Sequence, residues 1–151
     1  GVIAVPLTIA AGTIANGGVN PVTKKEVFDA TLAPKITAMI AAVGFYEHTG
    51  DWMYTSGIPA KTGVGGGVMG VLPGQFGIAA FAPPLDGSGN SVKAQLAIQY
   101  IMNKLELNVF SNNHITVLCS CLLFHNDIIS IQYTGIYHTF TLNFQHKEFF
   151  I

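Results

Sequence analysis

An α/β domain of the α+β type, with helices packed against an antiparallel sheet, is the fold class this sequence predicts. Three observations predict it. Two short apolar runs, residues 68–72 and 76–81, flank Pro73-Gly74-Gln75, the pattern of two strands joined by a tight hairpin. A stretch from Asn90 or Ser91 to about residue 107 has helical spacing: Ala94, Ala97, Ile98, Ile101, Met102 and Leu105 share one face, and Gln95, Gln99, Asn103 and Glu106 the other. Two earlier stretches of helix formers are each closed by glycine.

In chain order, residues 6–15 read as a helix with an apolar face, and Gly17-Gly18 supply the left-handed stop that ends such helices. Residues 16–23 follow as a loop. A second helix opens at Pro34, whose fixed φ suits a first turn, and is expected to carry Ile36, Met39, Ile40 and Val43 toward the core until Gly44. Residues 44–63 read mainly as loop and short strand. The hairpin then carries the Lys61-Thr62-Gly63 strand onto the sheet. Residues 83–89 form a rigid loop opened by Pro83-Pro84. Asn90 is read as a helix cap rather than a ligand contact, and Asp51 and Asp86 as loop acids that organise turns. After Phe110 the chain turns poor in charge and rich in large apolar residues, which divides it into segments 1–110 and 111–151. Two alternating runs in the second segment, Ile129-Ile131-Tyr133 and Phe140-Leu142-Phe144, suggest a hairpin, and such uncharged strands invite aggregation when exposed.

Composition narrows the function. With 151 residues, half of them hydrophobic, the chain suits one domain with an ample core. A net charge of −1, no arginine and scattered lysines show neither a nucleic-acid footprint nor a patch for anionic membranes. The most nearly uncharged stretch, 107–125, is interrupted by Asn108, Asn112, Asn113 and His114, leaving about ten apolar-rich residues where a span needs about 20. Cys119 and Cys121 are too close in sequence for an easy disulfide. With His48, His114, His125, His138 and His146 they match no common zinc spacing, so no metal is expected. Gly1 at the start, followed by a segment without the features of a signal peptide, reads as a truncation.

The most informative stretch is SGIPAKTGVGGG, residues 56–67, which fuses Lys61-Thr62-Gly63 to a glycine run. A cation, a hydroxyl and a side-chain-free backbone on one strand make one wall of an acyl-transfer cleft, as in the third signature of serine β-lactamases and penicillin-binding proteins. Residues 65–70 also fit G-x-G-x-x-G. A dinucleotide fingerprint must open a helix, however, whereas residues 68–72 are β-rich and stopped by Pro73. A phosphate-binding P-loop needs its lysine after the glycines, and Lys61 precedes them.

Four ordered blocks, TIANGGVNPVT, GFYEHTGDW, SGIPAKTGVGGG and FAPPLDGSGNSVKAQ, closely resemble the C-terminal part of the glutaminase family. The resemblance covers about residues 8–110, and KLELNVF resembles the end of the family's catalytic domain. It implies a partial β-lactamase/DD-peptidase-like domain. It also implies hydrolysis of L-glutamine to L-glutamate and ammonia through a serine acyl-enzyme, no metal or organic cofactor, and a homo-oligomer in the complete protein. Tyr46 matches a tyrosine that contacts glutamine near the nucleophile and is placed to pass a proton. Val64 matches a position whose main-chain amide helps build the oxyanion hole. Lys61, Gly63 and Gly65 are supporting residues of the cleft wall, Lys61 through its positive potential.

The resemblance has two departures. The family's nucleophile and base lie in Ser-x-x-Lys, which one helical turn brings onto one face. Here the residues three places before the lysines are Pro21, Val22, Leu32, Ile58, Asn90, Ile101 and Phe144. The tail after Phe110 resembles nothing in the family, as an alternative exon or a mistranslated segment would. β-Lactamase or penicillin-binding activity, resting on Lys61-Thr62-Gly63, fails on the same missing motif. A different class of reading is a truncated, non-catalytic module or pseudoenzyme that associates with intact subunits. The expected outcome is that this polypeptide by itself releases no ammonia from L-glutamine. An ammonia-release assay on the purified chain checks this, and robust turnover contradicts it.

Overall fold

The structure, a computed structural model, describes residues 4–111 and the main chain of residues 129–133. Helix α1 (Ala4–Ala15) carries no charge and is apolar on most of its circumference, the composition of a helix that packs on more than one side. Its two buried hydroxyls are satisfied within the helix, Thr8 Oγ1 donating to Ala4 O and Thr13 Oγ1 to Ile9 O, both at 2.8 Å. It ends as the glycine pair predicts. Gly17, at φ +63°, donates to Ile14 O, and Gly18 donates to Thr13 O, the paired bonds of a Schellman stop.

A loop bridged at Val19 and Glu26 leads to a 3₁₀ turn (Ala30–Leu32) capped by Asp29, and then to α2 (Ala33–Val43), with proline in its first turn. The predicted inward face of α2 is corrected by the structure: Met39 is 63% and Val43 58% exposed, while Ile36 and Ile40 are half-buried. This helix meets α1, the next helix and the sheet edge, and Ala33 is its buried residue, so its apolar stripe is wider than the surface it covers. A second correction follows. Within the stretch read mainly as loop, residues Thr49–Ser56 form a helix, α3, closed by Gly57 at φ +63° with its amide on Met53 O. Asp51 therefore sits in a first helical turn rather than in a loop.

The sheet is antiparallel in the order β1-β2-β3-β4. Strands β1 (Ala60–Gly63), β2 (Gly67–Leu72) and β3 (Phe76–Phe81) are the Lys-Thr-Gly strand and the predicted hairpin, with Gly63 opposite Gly67 and Leu72 opposite Phe76. Gly74, at φ +72°, makes the turn possible, and its amide bonds to Ala15 O, tying the hairpin to the end of α1. The run 129–133 forms β4 (Ile129–Tyr133), paired along β3 with Ile131 opposite Ile78. The second alternating run, 140–144, lies outside the described residues, as do both cysteines and His114, His125, His138 and His146.

Helix α4 (Val92–Lys104) buries Ala94, Ala97, Ile98, Ile101 and Met102, five of the six predicted, and the sixth, Leu105, packs half-buried just past its end. Ser91, not Asn90, is the cap, its Oγ accepting from the Ala94 amide. The helix stops at Lys104, short of residue 107, because Glu106 takes φ +53° and Leu107 donates back to Met102 O.

The two faces of the sheet pack differently, as the period of two requires. Val68, Leu72, Phe76, Ile78 and Ala80 face α4 and join Phe45, Trp52 and Ile58 in the main core. On the other face Gly77 lies under α1 so closely that an added Cβ would overlap the backbone of Ala11 and Gly12. The predicted Gly77→Ala variant therefore loses about 1–3 kcal/mol, the usual cost of overpacking, read as a fall in denaturant midpoint at unchanged m-value.

Candidate active site

The site is assembled where α2 ends. Gly44 lies against β1 so tightly that a Cβ would overlap Ala60 O, and Gly44 O accepts the Thr62 amide at 3.1 Å. Only glycine fits here, and its carbonyl closes part of the open edge of β1. The chain then divides its two aromatics. Phe45 turns inward, fully buried and stacked on Trp52 at 4.2 Å between ring centroids, while Trp52 Nε1 donates to Ile58 O at 2.8 Å. Tyr46 turns outward, 43% exposed, in the left-handed region at φ +52°. That conformation is uncommon for a residue with a side chain and needs support from its surroundings. Thr49 supplies it: Oγ1 donates to Tyr46 O at 2.7 Å and accepts the Phe45 amide at 3.0 Å. Residues Tyr46–His48 form a 3₁₀ turn that runs into α3.

Lys61 stands beside this turn. Its Nζ donates to Thr62 O at 2.6 Å and reaches Gly44 O at 3.4 Å, and it lies 4.9 Å from the centroid of the Tyr46 ring. The ammonium is thus held over the aromatic face by carbonyls and by the ring quadrupole. Beyond Gly63 the chain reverses through residues 64–66, with Gly66 at φ +94°, its amide on Gly63 O and its carbonyl taking the Ala82 amide. Val64 at the crest is 69% exposed, and no hydrogen bond takes up its amide among the described residues. A Cβ added at Gly63 or Gly65 would meet nothing within 4 Å. A ligand can approach this backbone without obstruction. The glycine run therefore opens strand β2 and not a helix, which removes the dinucleotide reading.

The third component is the loop before α4. Asp86 organises it, as expected: Oδ1 accepts the amides of Ser88 at 3.0 Å and Asn90 at 2.9 Å, and Oδ2 accepts Gln95 Nε2 at 3.1 Å. The Asn90 amide, with help from Gln95 and Ser88, holds the Asp86 carboxyl below the usual carboxylate range. Asn90 itself is fully buried, and its carboxamide finds no partner among the described residues. Gly89, at φ +87°, is the link to the other components. A Cβ there would stand 3.4 Å from Val64 Cγ1 and 4.0 Å from Tyr46 Cε2, so Gly89 lies against both. Sequence reasoning missed this contact. Its available signal was Asp86-x-Ser88-x-Asn90, an Asx-turn pattern that says the loop is rigid but not what it touches.

Tyr46, Lys61 and Val64, named from the sequence, thus come together, with Gly63 and Gly65 on the open side. An ammonium and a phenol side by side, with an unengaged amide on the neighbouring turn, are groups able to polarise a carbonyl and to move a proton. No cluster of three or more metal-ligating side chains occurs among the described residues, and none of their helices is long and apolar enough to cross a membrane.

A family model described as Glutaminase matches residues 2–110. A glutaminase of Bacteroides thetaiotaomicron is 89% identical over 118 residues, which are 78% of this chain and 37% of that protein. One of Mycobacterium ulcerans is 50% identical over 105 residues, 70% and 33% of the respective lengths. The chain thus spans about a third of the length of the curated relatives it matches. Among solved structures, a probable glutaminase, YbaS, superposes with a TM-score of 0.71 at 46% identity, covering 72% of this chain and 35% of that one. The Bacillus subtilis glutaminase YbgJ, in covalent complex with 5-oxo-L-norleucine, superposes with a TM-score of 0.65 at 26% identity, over 69% and 38%. These neighbours have the β-lactamase-like fold, and the present helices and antiparallel sheet are part of it.

The Asp86 loop titrates in a direction its bonds fix. A carboxyl depressed by folding adds stability that is complete above the unfolded value of about 3.9 and is lost as pH falls through the lower folded value. The expected result is an Asp86 midpoint below about 3.9, with the Ser88 and Asn90 amide resonances following it in an NMR titration, and with the loop intact at neutral pH.

Proposed function

We propose that this chain, which belongs to the glutaminase family, is the part of an L-glutamine amidohydrolase that supplies one wall of the substrate cleft. The observation that carries the reading is Lys61 beside the Tyr46 ring, with Gly89 lying against both that ring and the Val64 side chain, next to unobstructed glycine backbone. In the complete protein a serine attacks the side-chain amide of glutamine, the C–N bond breaks with protonation of the departing ammonia, and water then releases glutamate from the acyl-enzyme. The covalent 5-oxo-L-norleucine complex of YbgJ supports this course, since that protein forms a bond with a diazo-ketone compound.

Within that course each residue has a separable task. The Val64 amide donates to the carbonyl oxygen as it gains charge, a role of the main chain that leaves the side chain free to face solvent. Tyr46 contacts glutamine and passes a proton, with the Lys61 ammonium standing 4.9 Å from its ring. Lys61 adds positive potential, while Gly63 and Gly65 leave room for the substrate. The reading includes no metal or organic cofactor. It takes the complete protein as a homo-oligomer on the family resemblance alone, which its mass in solution tests.

The experiment places residues 2–110 in the frame of the Bacteroides thetaiotaomicron relative and follows ammonia release from L-glutamine. Tyr46→Phe keeps the ring beside Lys61 and deletes the hydroxyl, with an expected fall in kcat of about 10²–10⁴. Val64→Pro deletes the amide donor, with an expected fall of about 10²–10³. Full activity in both variants contradicts the assignment, and an inactive parent chimaera contradicts the function.

A further inference from the structure

Two segments forty residues apart are fastened together on the surface beside Tyr46. Ser88 Oγ donates to Glu47 Oε1 at 2.8 Å and lies 3.0 Å from His48 Nε2, while His48 Nδ1 is 3.3 Å from Asp51 Oδ2. The single hydroxyl proton of Ser88 is donated to Glu47, so His48 must carry a proton on Nε2 to bridge to Ser88. Both the neutral Nε2–H tautomer and the imidazolium have one. The imidazolium also donates from Nδ1 to Asp51 Oδ2, whereas the neutral Nε2–H tautomer keeps the Ser88 bridge and leaves Nδ1 without a proton for Asp51.

The order Ser88–His48–Asp51 is that of a nucleophile, its base and an orienting acid. The surroundings of Ser88 exclude that use. A nucleophile needs free amides nearby for the oxyanion, and here the Ser88 and Asn90 amides are bound to Asp86 Oδ1 and the Gly89 amide to Asp86 O. The hydroxyl proton is donated to a carboxylate rather than to the imidazole. What the arrangement does is mechanical. Glu47 and His48 follow Tyr46 in its 3₁₀ turn, and Ser88 precedes Gly89, the residue that lies against both Tyr46 and Val64. Asp86 makes the loop a rigid body, so a bond at Ser88 fixes Gly89 against the tyrosine and the oxyanion-hole turn at once. Tyr46 is the residue that needs such fastening, because its left-handed φ of +52° is costly for a residue with a side chain, and on the interior side Thr49 Oγ1 braces the main chain around it.

We propose that Ser88, through Glu47 and His48, is a positioning residue that clasps the Tyr46 turn to the loop before α4 and so sets the spacing between Tyr46 and the Val64 amide. The inference rests on the reading of Tyr46 given above. The test uses the same complete chimaera, with Ser88→Ala, Ser88→Thr and Tyr46→Phe in parallel, and hydrogen exchange on the 151-residue chain itself. Ser88→Ala is expected to lower kcat/KM for L-glutamine about tenfold at a nearly unchanged Tm, since the bonds are at the surface, and to speed amide exchange in residues 46–49 and 87–89. Ser88→Thr restores the hydroxyl and most of the activity. Unchanged kcat/KM and exchange in Ser88→Ala, with Tyr46→Phe impaired, overturns the clasp and leaves the Tyr46 reading standing. An unimpaired Tyr46→Phe overturns both. A fall in Tm matching the fall in activity, without rescue by Ser88→Thr, marks Ser88 as structural and also overturns the proposal.

Discussion

The rest of the site depends on one close approach of two main chains. Gly44 is pressed onto β1, its carbonyl taking the Thr62 amide, at a separation that leaves no space for a Cβ. This contact stops α2, shields the edge of the sheet and sends the next two residues to opposite sides. Phe45 enters the core on Trp52, and Tyr46 is delivered beside Lys61. The same carbonyl receives the Lys61 ammonium at 3.4 Å, so the cation and the phenol are positioned from a common point. A backbone contact holds such a spacing better than long side chains do, to the fractions of an ångström that a preorganised site requires.

Behind the site the sheet resolves two conflicting demands. One face carries Val68, Phe76 and Ile78 and supplies most of the apolar burial with α4 and α3. On the opposite face β3 is shaved to Gly77 and Ala79, so that α1 comes close through Ala11 and Gly12, while β2 adds Val71 and Met69 beside Ala11 and Ala15. Where β3 meets α1 the gain comes from close contact more than from area, which makes that contact intolerant of added volume. β3, between these faces, is buried along most of its length and has a strand on each side.

Much of the fold was legible in the sequence, and the gaps have physical causes. The hairpin was readable because Pro73-Gly74-Gln75 interrupts two β-rich runs, and α4 because its stripe keeps helical spacing over three turns. Helix α3 was hidden: Thr49, Gly50, Tyr54 and Thr55 are weak helix formers, and the Trp52 stack and the Gly57 stop hold it instead. For α2 the pattern gave the helix but not the breadth of its neighbours, so Met39 and Val43 were placed inward. Asn90 and Ser91 are both good caps one position apart, and local chemistry does not separate them. In the site, Tyr46, Val64 and Lys61 stood out through the family resemblance. The contact of Gly89 with Tyr46 and Val64 joins three distant segments, and only the folded chain brings them together.

Trp52 has an optical consequence. It is the single tryptophan of the chain, almost fully buried, with its ring parallel to Phe45, the residue next to Tyr46. Its indole nitrogen is bonded to the carbonyl just ahead of the Lys-Thr-Gly strand. The molecule therefore carries an intrinsic fluorophore wedged between the tyrosine turn and the cleft strand. Its emission colour registers whether water has entered behind the site, without any label attached to the exposed surface of Tyr46 or Val64.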